Sequence, residues 1–175
     1  AVSGDVLLAL EVNSESPLSA YDVSDPANPR AVSVPAGISA QVFSGVDAEN
    51  GLAVVSGGTA NMSVLDISNV DEIKSMGSLP KDLAFADVTL DQGRAFISTE
   101  IAGDPRFGVL VYTLADPSRP VLVQSLRIPG LEGISRVRMP GNFDLELDIS
   151  GSTLLAAGGG RFSGGPDDTG HLTIM

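Results

Sequence analysis

The stretch Tyr21-Asp-Val-Ser-Asp-Pro-Ala-Asn-Pro29 decides the fold, because it recurs in two further places along the chain. Leu65-Asp-Ile-Ser-Asn-Val-Asp-Glu-Ile73 and Tyr112-Thr-Leu-Ala-Asp-Pro-Ser-Arg-Pro120 align with it without gaps. The separations are 65 − 21 = 44 residues and 112 − 65 = 47 residues. A near-constant period of this size indicates a repeat architecture, in which each copy is one structural unit.

Each copy of the stretch is predicted to be the turn of a β-hairpin. A short apolar strand precedes each copy, and a second strand follows it and ends at Pro or Gly. Asp25 and Asp116 stand before prolines, so that the carboxylate can accept from the backbone ahead while proline presets φ for the turn. The second copy has Asn69-Val70 instead, and we expect its turn to be looser.

Two more predicted strands precede each hairpin. The strand directly upstream follows a turn residue in each unit: 5–9, 51–55, 93–97 and 152–156. Before it comes another, at 39–46, 83–90 and 143–149. Four strands in each unit of about 45 residues, with no convincing helical stretch, predict an all-β fold, a β-propeller with four-stranded blades. A β-sandwich is the competing interpretation, since it also has many short strands with regularly spaced turns.

The units are predicted at approximately 1–37, 38–80, 81–130 and 131–175. In this interpretation the first unit lacks its first strand, and the last is truncated after its third strand, Leu172-Thr-Ile-Met175. That strand ends 175 − 112 = 63 residues after the preceding equivalent, so the last unit carries an insertion. We therefore expect an incomplete ring of about four blades with open edges, which are an aggregation liability in a free-standing protein. Either a longer chain or a second chain would complete the ring.

The hairpin turns also resemble a known family. The sequence Asp22-Val-Ser-Asp-Pro-Ala-Asn-Pro29 after a Leu-x-x-Tyr strand is similar to the LVIVD repeat of bacterial and archaeal surface-associated β-propellers. The resemblance covers nearly the whole chain and implies the propeller fold, but the family is not tied to one activity. This sequence departs from the pattern at Val70, Ile73 and Thr113, which affects turn geometry.

Composition excludes several kinds of function. The chain has 22 acidic and 10 basic residues, a net charge of −12, which disfavours binding to nucleic acid or to anionic lipid. No apolar run is long enough for membrane insertion by a helix. Cysteine is absent, so that neither disulfides nor thiolate metal sites can form.

One calcium site can be proposed from the sequence. The Gly-rich stretch 158–171 contains Asp167 and Asp168, whose carboxylates, with backbone carbonyls, are hard oxygen ligands of the kind that Ca²⁺ prefers. Its spacing matches no known calcium loop, and an ordinary soluble connection is the competing interpretation. A phosphate cradle is excluded, because no Gly-Lys-Ser/Thr sequence and no helix follow the glycines.

No catalytic residue or organic cofactor is predicted. His171 is the single histidine, and no Gly-x-Ser-x-Gly elbow supplies it with a nucleophile. Asp144, Glu146 and Asp148 lie on one face of a predicted strand, where they could bind a cation or simply face water. Arg127, Arg136 and Arg138 form a local basic region, interpreted either as an anion contact or as a solvated loop.

These observations favour a non-catalytic β-propeller, extracellular or at the cell surface, that acts as a protein-interaction or structural scaffold. Its expected partner is a protein or a cell-envelope component, and the periplasm is the alternative location. Two other functions stay open. One is a propeller enzyme of the lactonase or hydrolase kind with a metal at the central channel, and the other is a filament or adhesin subunit that self-assembles through its open edges.

Overall fold

The structure is a computed structural model, and it describes residues 1–10, 18–36, 38, 43–57, 62–79, 87–100, 107–127, 143–150, 153–160 and 171–174. These residues form fifteen β-strands in four antiparallel sheets, and no helix occurs among them. The calcium candidates Asp167 and Asp168 lie outside the described residues, as do Arg136 and Arg138.

Each sheet is a run of consecutive strands, in which every strand pairs with the next one along the chain. Sheet 1 consists of β1 (Val2–Ser3), β2 (Val6–Leu10), β3 (Leu18–Asp22) and β4 (Arg30–Val32). Sheet 2 consists of β5 (Phe43–Glu49), β6 (Leu52–Gly57), β7 (Ser63–Asp66) and β8 (Lys74–Ser78). Sheet 3 consists of β9 (Val88–Asp91), β10 (Arg94–Glu100), β11 (Phe107–Thr113) and β12 (Val121–Arg127). Sheet 4 consists of β13 (Phe143–Ser150), β14 (Thr153–Gly160) and β15 (His171–Ile174).

The first sheet corrects one expectation from the sequence. The first unit was expected to lack its first strand, but Val2 and Ser3 pair with Leu7 and Val6. The strand is only two residues long, too short to show any apolar alternation in the sequence. Sheet 1 therefore has four strands, as sheets 2 and 3 do.

Two-residue turns join the first and second strands of the sheets. Asn50 and Gly51 both have positive φ, at 50° and 79°, the backbone that a type I′ turn requires and that Asn-Gly favours. Gln92 and Gly93 adopt the same conformation, although glutamine is not a preferred residue there. These turns match the twist of the strands and fix their register.

Apolar alternation fills the spaces between successive sheets. One cluster of buried side chains lies between sheets 1 and 2, and it includes Val6, Leu8, Leu18, Ala20, Ala53, Val55, Leu65, Ile67 and Ile73. A second lies between sheets 2 and 3, and it includes Val54, Met62, Val64, Leu79, Val88, Ala95, Ile97, Tyr112 and Leu114. Sheet 2 is therefore buried on both faces, by neighbouring side chains that alternate along β6 and β7. The position of Tyr112 confirms its predicted role in packing between units.

The first strands of successive sheets lie next to one another. β1 contacts β5, β5 contacts β9, and β9 contacts β13. We call these four the inner strands, and β4, β8 and β12, at the opposite sheet edges, the outer strands. The sheets thus converge at their inner strands, like radial sheets around an axis.

Candidate interaction surface

The repeated stretch forms one hydrogen-bonded turn in sheets 1, 2 and 3. At its start, Asp22 Oδ1 accepts from Ser24 N at 3.0 Å, and Asp66 Oδ1 accepts from Ser68 N at 2.9 Å. In sheet 3, Thr113 Oγ1 replaces the carboxylate and accepts from Ala115 N at a longer 3.3 Å. These turn carboxylates are thus used to order the backbone.

A second side-chain cap follows three residues later in each turn. Asp25 Oδ1 accepts from Ala27 N at 3.1 Å, and Asn69 Oδ1 accepts from Asp71 N at the same distance. Asp116 Oδ1 accepts from Ser118 N at 3.0 Å. The expectation of a looser second turn is therefore wrong, because an asparagine side-chain oxygen caps the turn as well as a carboxylate does.

Hydrogen bonding in these turns holds several carboxyl groups in the charged form. The backbone N–H and hydroxyl of Ser24, together with Arg30, lower the pKa of Asp22 to about 2. The hydroxyl and N–H of Ser68 lower the pKa of Asp66, and those of Ser118 lower the pKa of Asp116. A carboxylate that accepts several hydrogen bonds favours its ionised form.

Carboxylates also connect the inner strands of sheets 2 and 3. Asp47 Oδ2 accepts from Leu90 N at 2.7 Å and from Thr89 Oγ1 at 3.1 Å. Glu49 accepts at 3.2 Å and 3.3 Å from the N–H groups of the Gln92-Gly93 turn. Each carboxylate belongs to one sheet, and the backbone donors that it satisfies belong to the edge of the next.

The same arrangement joins sheet 3 to sheet 4. Asp87, just before β9, accepts from Leu147 N through Oδ2 at 2.8 Å. A Cβ added to Gly45 would lie 2.7 Å from Asp87 Oδ1, so that glycine makes room for this carboxylate. Between sheets 1 and 2, the Ser3 hydroxyl takes the acceptor role and receives Gly51 N–H at 3.1 Å.

The outer strands approach the turn of the following sheet. Arg30, which begins β4, pairs with Asp22 at 2.8 Å and with Asp71 in the turn of sheet 2 at 2.7 Å. Gly77 of β8 packs so closely on the turn of sheet 3 that a Cβ there would lie 2.8 Å from Pro117 O and 2.9 Å from Ser118 O. The outer strands of sheets 1 and 2 are therefore covered in part by the next turn.

The outer strand of sheet 3 differs, and it is the candidate interaction surface. Its first three residues, Val121, Leu122 and Val123, are 57%, 48% and 54% exposed. A β-bulge opposite Val111 and Tyr112 interrupts the pairing, so Val123 has no partner in β11. Bulges bend a strand and disturb the strict alternation of its faces. Three consecutive apolar side chains consequently stand in water.

The sequence did not single out this surface. β4 begins with Arg30 and β8 with Lys74, whereas β12 carries no charge before Arg127. Charged residues, lysine above all, protect an edge strand from pairing with other chains. The signal was the uncharged run Val121 to Leu126 on a strand that pairs along only one edge within the described sheets.

The acidic strand predicted from the sequence is β13. Leu147 is 8% exposed, whereas Asp148 is exposed and lies on the opposite side of the strand. No group of three His, Cys, Asp or Glu residues among the described positions is arranged to hold a metal ion. The calcium site at Asp167 and Asp168 stays a prediction. In the same described part of the chain, no helix is long and apolar enough to cross a membrane.

Comparison with solved structures supports the architecture. The chain is similar to the crystal structure of the N-terminal domain of Nup159, with a TM-score of 0.57 and 15% identity, over 99% of this chain and 43% of that one. It is also similar to a chain in the S. cerevisiae complex of a Dbp5 variant bound to Nup159, a Gle1 variant, IP6 and ADP. There the TM-score is 0.55 and the identity 17%, over 99% of this chain and 42% of that one.

This chain spans less than half the length of either neighbour. No family model and no curated protein matches it. At such low identity the likeness extends to the fold alone. The chain has an all-β, propeller-like fold of antiparallel sheets.

Proposed function

We propose that this propeller-like chain is a non-catalytic interaction module that binds an extended segment of a protein partner along β12. The observation that carries the proposal is the run of three exposed apolar residues, Val121 to Val123, on an outer strand. A strand in this position has free backbone donors and acceptors, and an extended peptide can add to it as a further strand. Apolar side chains next to that edge supply contacts that a charged edge strand lacks.

The distribution of charged groups supports the same interpretation. Asp22, Asp66 and Asp116 hold turns, and Asp47 and Glu49 hold the neighbouring sheet. A carboxylate whose pKa is lowered by such bonds stays ionised at neutral pH and is a poor general acid or base there. The acidic residues therefore serve the scaffold, which leaves the apolar outer strand as the distinctive surface.

The proposal includes the setting of the module. The four sheets form an arc of a propeller ring, and the repeated turns place the chain among LVIVD-repeat propellers of cell surfaces. The shared hydrogen bonds of the three turns support the family, and the net charge of −12 is compatible with an extracellular or cell-surface location. Labelling by a membrane-impermeant amine reagent in intact producing cells tests the location, since the Lys74 side chain is 55% exposed.

Peptide selection tests the binding surface directly. A random peptide library displayed on phage is selected against the chain and against a Val121→Lys, Val123→Lys double variant. We expect the wild-type chain to enrich peptides with alternating apolar residues, and we expect the double variant to lose at least ten-fold in affinity for them. Both replaced side chains are more than half exposed, so the variant should keep its melting temperature.

Met76→Lys is the matched control. Met76 is the bulge residue of β8, as Val123 is of β12, and it is 38% exposed. This variant should bind the selected peptides as well as the wild type does. Failure to select any peptide, or selected peptides whose binding ignores the β12 substitutions, would overturn the proposal.

A further inference from the structure

The contacts between inner strands run in one direction along the chain. Ser3 accepts from sheet 2, Asp47 accepts from sheet 3, and Asp87 accepts from sheet 4. In each case the earlier sheet supplies a side-chain oxygen and the later sheet supplies a backbone N–H. Every boundary therefore has an acceptor side and a donor side, and they are not interchangeable.

Sheet 4 presents an acceptor with no described donor. Asp148 precedes the end of β13 as Asp47 precedes the end of β5, each three residues before the turn. Both carboxylates hold the same local geometry, since Oδ1 of each accepts from the following N–H at 2.8 Å. Asp47 uses its Oδ2 to bind Leu90 N–H of the next sheet, whereas Asp148 is exposed. Asp148 is thus preset for a strand donor.

Sheet 1 presents the complementary donor side. Val2 stands at the position of Leu90 relative to the turn, with its N–H directed away from β2, because its neighbours Ala1 and Ser3 make the bonds to that strand. Its side chain is 58% exposed.

The rest of that face is apolar and incompletely covered. Leu7 and Tyr21 are half-buried, although the residues at the same positions in sheet 2, Ala53 and Leu65, are both 0% exposed. Val23 is also half-buried, whereas its equivalent Ile67 is 2% exposed. The face of sheet 1 thus has the composition of an interior boundary without its covering.

From these two faces we infer that a second copy of this chain docks head to tail, with its sheet 1 against sheet 4 of the first. Asp148 of one copy accepts from Val2 N–H of the other, and the half-buried side chains of sheet 1 become covered. The inference rests on the proposed arc, since a closed ring would leave neither face open, but it does not depend on peptide binding by β12. The contact is heterologous, so that two copies close a ring or many form a chain.

Two variants, each altered on one face, test the inference by mass. Tyr21→Glu places a charge on the sheet 1 face, and Asp148→Arg removes the acceptor on sheet 4. Wild-type protein should show a solution mass of at least two times 17.9 kDa by light scattering after size-exclusion chromatography, and each variant alone should be a monomer. An equimolar mixture of the two should give a heterodimer, because one intact acceptor face and one intact donor face remain. Met76→Glu, on β8, is the control and should keep the wild-type mass.

Circular dichroism of each variant distinguishes loss of assembly from loss of folding. A wild-type monomer at millimolar concentration, or a variant mixture that stays monomeric, would overturn the head-to-tail contact. A monomer that still binds peptides on β12 would overturn this inference alone and leave the proposed function standing.

Discussion

The boundary between sheets 1 and 2 and the boundary between sheets 2 and 3 have the same apolar filling but different polar contacts. At the inner strands, the first boundary has one hydroxyl, Ser3, and the second has the carboxylates of Asp47 and Glu49. At the outer strands, the first has the ion pair of Arg30 with Asp71, and the second has backbone against Gly77. Apolar alternation thus determines how the sheets stack, and polar contacts vary from one boundary to the next.

The largest expected effect tests the shared filling. Leu65→Ala in the first boundary and Ile97→Ala in the second each remove a side chain that is 0% exposed. Each should lower the free energy of unfolding by about 2 to 5 kcal/mol, measured by urea denaturation. If either substitution cost less than about 1 kcal/mol, the two boundaries would not be equivalently packed.

Gly77→Ala should give the next largest effect, at the second boundary only. The added methyl would lie under 3 Å from two backbone oxygens, which cannot swing away as a side chain can. We expect a loss of about 1 to 3 kcal/mol in the free energy of unfolding, because the sheets must separate slightly. Ser75→Ala, on the same strand and exposed, is the control and should change stability by less than about 0.5 kcal/mol.

A third pair of substitutions compares the polar contacts themselves. Asp47→Ala removes the acceptor of Leu90 N–H and of the Thr89 hydroxyl, which is 7% exposed, and should cost about 1 to 3 kcal/mol. Asp71→Ala removes a partner that is 69% exposed, and should cost about 0 to 1 kcal/mol. Chemical denaturation of both variants measures the difference. Equal losses would contradict the view that the inner contacts are the stronger ones.

Acid should weaken the first turn in a defined window, with a smaller effect. The pKa of Asp22 is lowered to about 2 in the folded chain, against about 3.9 when unfolded. Because the folded value is lower, the stabilisation is complete above about pH 4 and is lost as pH falls from about 4 to about 2. Urea midpoints across this range should fall less steeply for Asp22→Asn than for the wild type. Parallel pH profiles would contradict the role of Asp22.

Local features of the fold were predictable from the sequence, and long-range contacts were not. The repeat at Tyr21, Leu65 and Tyr112 located the hairpins, because turn chemistry and apolar alternation act over a few residues. The contact of Asp47 with Leu90 spans 43 residues and depends on how two sheets meet, so nothing near Asp47 announces it. The acidic run in β13 was correctly recognised, but its resemblance to Asp47 became visible only with the register of both strands.

The exposure of β12 was unpredictable for a different reason. Val121, Leu122 and Val123 have the composition of a buried strand, and only a bulge together with an outer position brings all three into water. The bulge recurs in β8 at Met76, where the surrounding residues are polar. Sequence therefore located the strand, and its exposure required the pairing register.

The one-way contacts between inner strands also bear on how such a protein grows during evolution. Each sheet carries an oxygen acceptor for the sheet after it and a backbone donor for the sheet before it. A gene duplication that copies one sheet in tandem therefore supplies both halves of the new boundary at once. Repeats built in this way gain or lose members without inventing new contacts, so the number of sheets is free to drift while each boundary is retained.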